Sequence, residues 1–208
     1  GIQGLGMSEV AYQSAAEYTK DRLQGRSLNS PVNPELPADP IIVHPDVRRM
    51  LLSVKSFNES ARALSIWIAL NIDIAEHHPD SDTKKNASEF LALMTPIAKA
   101  FLTDTSFENV NLALQCYGGH GYIRDHGMEQ FVRDTRITQL YEGTSGIQAL
   151  DLVGRKLPQD MGRLLRQFFH PVDKFIKENI SDKDISDIIM PLAKSFARLQ
   201  QASAWVAE

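Results

Sequence analysis

Cysteine is nearly absent from this sequence, with Cys116 alone among 208 residues. A single cysteine cannot close an internal disulfide, so covalent cross-links play no part in the expected fold. No uninterrupted apolar run approaches the ~18 residues that suggest a membrane span, and no signal-peptide pattern opens the sequence. The expectation is a cytoplasmic protein without membrane insertion. A basic excess is lacking too: 22 Lys and Arg stand against 26 Asp and Glu. Without a basic block there is no electrostatic footprint for nucleic acid or an anionic membrane. Alternation at period two is missing as well, which argues against strands.

What the chain does have is helical spacing, in a composition that is 43% apolar. Val47, Met50, Leu51, Val54, Phe57, Ala61, Leu64 and Ile68 recur every three or four positions, predicting a helix opened by Pro45 and running to about Glu76. At ~1.5 Å per residue it is on the order of 45 Å long and needs partners of similar length. Residues from about Met7 to Leu23 form one candidate. The stripe Phe90, Met94, Ile97, Phe101 and Leu102 leads toward Leu112 and Tyr117 as another, with a kink expected at Pro96. Between the first two helices, Pro31, Pro34, Pro37 and Pro40 mark a connector. Beyond residue 158, apolar positions from Leu164 to Leu199 are again helical, with breaks expected at Pro171 and Pro191. Trp67 and Trp205 are expected to pack in a core or between helices. The predicted class is all-α: an up-and-down, four-helix-bundle-like domain over 1–156 and an additional helical segment over 157–208. The chain lacks an initiator Met and stops inside a helical pattern, so it reads as an excised fragment of a longer protein.

Two short stretches could carry chemistry. Gln115-Cys116-Tyr117-Gly118-Gly119-His120-Gly121 closes the third long helix. Its glycines suit helix termination, or a loop whose backbone approaches a ligand where no Cβ intervenes. Glu142 precedes Gly143-Thr144-Ser145-Gly146 at the start of another helix. Read by itself, it could serve the helix dipole or a cap with Thr144 or Ser145. His77-His78, before Pro79, suit a helix end better than a metal site, and no metal site is expected.

The run QCYGGHGYIRDHGMEQFVRDTRITQLYEGTSGIQ, residues 115–148, resembles the C-terminal signature of the FAD-dependent acyl-CoA dehydrogenases, in which a QxxGGxG loop, an Arg-Asp pair and YEGT follow in that order. The resemblance extends from Gly1 to about Lys156 and is sharpest at YEGTSxIQ. It implies an oxidoreductase of fatty acid β-oxidation that converts acyl-CoA thioesters to trans-2-enoyl-CoA. In the family each subunit has an N-terminal helical domain, a middle β-domain and a C-terminal bundle. Only the last corresponds to this chain, so the fragment itself is expected to be inactive and free of FAD.

Carried over by position, the resemblance makes Glu142 the catalytic base and Gly143 a substrate-binding residue. It assigns cofactor binding to Arg22, Gln115, Gly118, Gly119, Thr144 and Gly146. Implied partners are an acyl-CoA substrate, a homodimer or homotetramer, and an electron transfer flavoprotein as electron acceptor. The chain departs from the family at Arg22-Leu23-Gln24-Gly25-Arg26, where many members carry Arg-Lys-Thr-Phe-Gly, and at Gly146, where glutamine is common. The helices past Leu157 resemble a bacterial subgroup with an added C-terminal helical domain. An acyl-CoA oxidase with the same base and a helical oligomerisation module without activity remain as alternatives.

Overall fold

A computed structural model describes residues 1–207. Among them every regular element is helical, and the sole extended pairing is the bridge between Leu23 and Pro40. The chain forms two compact units, one of Gly1–Trp67 with Ala98–Ser145 and one of Ile68–Ile97 with the chain from Gly146 onward.

Three long helices dominate: α1 (Ile2–Asp21), α2 (Pro45–His77) and α3 (Ser81–Tyr117). In the first unit they pair in alternating directions. Along α1, Gly4 meets Ser106 and Ser14 meets Tyr117, so α1 and α3 run parallel. Glu9 reaches Arg62 while Ala11 and Ala15 share a core with Met50 and Leu51, so α2 runs the other way. α1 contacts its neighbours through a buried row of small residues that includes Gly4, Ser8, Ala11 and Ala15. A Cβ on Gly4 would lie 3.1 Å from Ser106 Oγ, a measure of how closely the helices approach. Ser8 Oγ donates to Asn58 Oδ1 at 2.6 Å and accepts from Asn109 Nδ2 at 3.3 Å. Buried polar groups need partners, and these three meet only in one register of α1, α2 and α3.

Past α3 come the single turn α4 (Gly119–Tyr122) and α5 (Met128–Arg136), which buries Met128 in the same core. α6 (Ser145–Asp151) is followed by a π-helical turn, Leu152–Lys156. The second unit is completed by α7 (Arg163–Asn179) and α8 (Ser186–Ala207), whose Ile176, Ile189 and Phe196 form its own core. Phe169 meets Phe196 edge to face at 5.2 Å. Arg163 pairs with Glu89 of α3 at 3.0 Å.

The all-α expectation holds, and three details differ. α1 begins at Ile2, five residues before the expected start. Pro171 and Pro191 do not break α7 or α8. Both are exposed, so water can satisfy the carbonyl freed by each missing N–H, and the apolar contacts on either side outweigh the lost bond. Trp67 and Trp205 are 46% and 77% exposed and do not fill a core.

Candidate active site

The expected cofactor residues Arg22, Gln115, Gly118 and Gly119 line one cavity of 790 Å³ in the first unit, together with Tyr18, Gln24, His44 and His120. Arg22 caps the C-terminal end of α1, its backbone N–H donating to Tyr18 O at 2.9 Å. The following residues pair backbone to backbone with the end of the connector. Ile41 N donates to Arg22 O at 2.8 Å and Gln24 N to Asp39 O at 3.0 Å, so this wall is ordered rather than a loose loop.

The opposite wall is the glycine loop. Gly118 has φ 57° and ψ −136°, a backbone region that only glycine enters without strain. Gly121 is needed for packing, since a Cβ there would fall 2.5 Å from Leu114 O. Gly119 has neither reason. Its φ is not positive and a Cβ would meet nothing within 4 Å, so the cavity has open space at that backbone. Tyr18 holds the loop from α1: its hydroxyl shares a hydrogen bond with His120 Nδ1 at 2.8 Å, and its ring stacks on Tyr117 at 4.0 Å. Cys116 is buried beside this loop, and burial pushes its thiol up to about 11.

Glu142 lies elsewhere in the same unit. It is exposed in the turn between α5 and α6 and takes φ 57°, followed by Gly143 at φ 84°. A left-handed conformation costs a non-glycine residue roughly 1–2 kcal/mol, so the turn must be held by its surroundings. Two bonds to α3 flank it. Asp104 Oδ1 accepts from Gln139 Nε2 at 2.8 Å and from Ser145 Oγ at 3.0 Å. Glu142 is also within electrostatic reach of Gly1 at the opposite end of α1 from Arg22. α1 has 20 residues and so is about 30 Å long. The structure therefore separates the expected site residues into a base-bearing turn and a cofactor-type cavity at opposite ends of one helix. Thr144 lies in the turn, and Gly146 is the second residue of α6, in the second unit.

A family model described as the acyl-CoA dehydrogenase C-terminal domain matches residues 33–157. The chain belongs to the acyl-CoA dehydrogenase family. Among curated relatives, the 3-methylmercaptopropionyl-CoA dehydrogenase of Ruegeria pomeroyi is 43% identical over 168 residues, covering 81% of this chain and 28% of its own length. A broad-specificity linear acyl-CoA dehydrogenase of Mycobacterium tuberculosis is 32% identical over 98% of this chain and 34% of its own. The chain thus spans about a third of the length of these relatives. Among solved structures, butyryl-CoA dehydrogenase from Megasphaera elsdenii matches with TM-score 0.55 and 27% identity over 73% of this chain and 33% of that one. ACDH-11 from Caenorhabditis elegans matches with TM-score 0.77 over 95% of this chain and 31% of that one, and at 20% identity it shows the acyl-CoA dehydrogenase fold.

Sequence reasoning missed Tyr18, His44 and Asp104. Tyr18 and His120 are 102 positions apart, and Asp104 is 35 and 41 positions from its two partners, so no local motif joins them. Among the described residues no helix is long and apolar enough to cross a membrane, and no group of three His, Cys, Asp or Glu is placed to hold a metal ion.

Proposed function

We propose that this chain is the base-bearing domain of an FAD-dependent acyl-CoA dehydrogenase that removes hydrogens from Cα and Cβ of an acyl-CoA thioester. The observation that carries the reading is Glu142 in a left-handed turn beside Gly143, in the family's YEGT setting. The proton α to a thioester is weakly acidic. It leaves readily only to a carboxylate held within hydrogen-bonding reach. Glu142 takes that proton, while Gly143 leaves space for the thioester beside it.

The 790 Å³ cavity fits the adenosine diphosphate part of FAD. Arg22 offers a guanidinium for the diphosphate, Gln115 an amide, and Gly118 and Gly119 open backbone. Thr144 and Gly146 are assigned to the flavin near the base. FAD, when bound, supplies the hydride acceptor for Cβ. Since the base-bearing turn and the cavity lie at opposite ends of α1, the two clusters serve different active sites of a homo-oligomer, each site completed by a second subunit. Electron transfer flavoprotein as acceptor and a cytoplasmic setting belong to the same proposal.

The test is Glu142→Gln in the full-length enzyme, followed by anaerobic flavin bleaching with saturating acyl-CoA. The amide keeps the shape and loses the base, so the rate is expected to fall by ~10²-fold to 10⁴-fold with FAD content unchanged. Bleaching at the wild-type rate would assign the base to another residue.

A further inference from the structure

Glu142 is the central residue of a seven-residue segment tied at both ends to one oxygen. Gln139, three residues before it, and Ser145, three residues after it, both donate to Oδ1 of Asp104 on α3. The orientation of the Gln139 amide is set independently, because Arg136 Nη1 donates to its Oε1 at 3.1 Å and leaves Nε2 for Asp104. Between the two ties the backbone turns through consecutive positive φ values at Glu142 and Gly143. A non-glycine residue leaves that conformation unless the chain on both sides is held. Asp104 stands well inside α3, on a stretch that is itself anchored by the buried Thr103, Ser106 and Asn109.

We infer that Asp104 is a positioning residue for the reaction, a latch whose single carboxylate oxygen closes the Glu142 turn from both sides and aims the base. This rests on the reading of Glu142 as the base. The physical consequence is specific. A general base must be within hydrogen-bonding reach of the proton it takes, and a displacement of about 1 Å can cost on the order of 10²-fold in rate. Releasing the latch therefore lowers the rate of proton abstraction without removing the carboxylate. It leaves FAD content in place, because Arg22, Gln115, Gly118 and Gly119, the residues assigned to the diphosphate part, line a cavity away from the turn. Both bonds use Oδ1, so an asparagine, which keeps one carbonyl oxygen, can still close the latch.

The experiment compares Asp104→Ala, Asp104→Asn and Glu142→Gln in the full-length flavoenzyme. It measures FAD content, KM for acyl-CoA and the anaerobic flavin-bleaching rate. Asp104→Ala is expected to slow bleaching at saturating acyl-CoA by about 10-fold to 10²-fold with FAD content near wild type. Asp104→Asn is expected to return most of that rate. If Asp104→Ala bleaches at the wild-type rate while Glu142→Gln does not, the latch is refuted and the base stands. Wild-type bleaching in Glu142→Gln would instead remove the base itself. Asp104→Asn as slow as Asp104→Ala would also overturn the inference, since charge and not the shared acceptor would then matter. Should Asp104→Ala fail to fold, Gln139→Ala and Ser145→Ala each remove one tie. Wild-type bleaching in both would equally refute the latch.

Discussion

The carboxylate of Asp39 is completely enclosed and carries the Arg26 guanidinium at 3.3 Å. It also accepts from the backbone N–H groups of Ser27, Val32 and Asn33 at 2.9 to 3.0 Å. This knot gathers the proline-rich connector and fixes the strand-like pairing next to Arg22, so the cavity wall depends on it.

Hydrogen bonds from Asn33 and Ser27, then that from Val32 and the charge of Arg26, outweigh burial and hold the Asp39 carboxyl at about 2, below its ordinary 3.8. A depressed carboxyl pKa contributes stability that is present above the unfolded value and lost as pH falls through the folded one. Between pH 4 and 2 the wild-type melting temperature should therefore fall more steeply than that of Asp39→Asn. Thermal melts across this window check it, and parallel slopes would rule out the knot as an acid-labile element.

Gly119 and Gly121 are two positions apart and should respond oppositely. An added methyl at Gly121 would press on Leu114 O at 2.5 Å and Tyr117 Cβ at 2.9 Å, and backbone cannot yield cheaply. Gly121→Ala is expected to cost about 1–3 kcal/mol. Gly119→Ala meets open space, so stability should stay within about 0.5 kcal/mol while FAD retention in the full-length enzyme drops. Denaturant unfolding and the flavin-to-protein absorbance ratio measure the two effects. A stable Gly121→Ala protein would contradict the packing argument.

Cys116 is 4% exposed, and burial pushes its thiol up to about 11. At pH 8 only about one molecule in 10³ carries the reactive thiolate. Ellman's reagent should react at least ~10²-fold more slowly with native than with denatured protein. Reaction of native protein within the mixing time would show that the thiol is reachable.

Leu52 and Ile66 of α2 are 64% and 63% exposed and lie about four turns apart on nearby azimuths of that helix. Self-association should cover them, in keeping with active sites completed by a second subunit. Leu52→Asp with Ile66→Asp is expected to shift the protein toward monomer in sedimentation velocity. An unchanged oligomer would place the interface on another face.

The all-α class, the extent of α2 and the turn ahead of α6 were legible in the sequence, because each is written in residues a few positions apart. Spacings of three and four mark a buried helical face. The run from Gln115 to Gln148 was legible for the same reason, as a local order of motifs that resembles one family. Proline misled at Pro171 and Pro191, because a propensity cannot see whether water will solvate the freed carbonyl. Only the folded chain brings Asp104 to Gln139 and Ser145, Tyr18 to His120, and Asp39 to the backbone of Ser27 and Asn33. It also separates Glu142 from the cavity by the length of α1. These relations arise from helices packed in a single register, where contacts span tens of positions and depend on which faces the core has already buried.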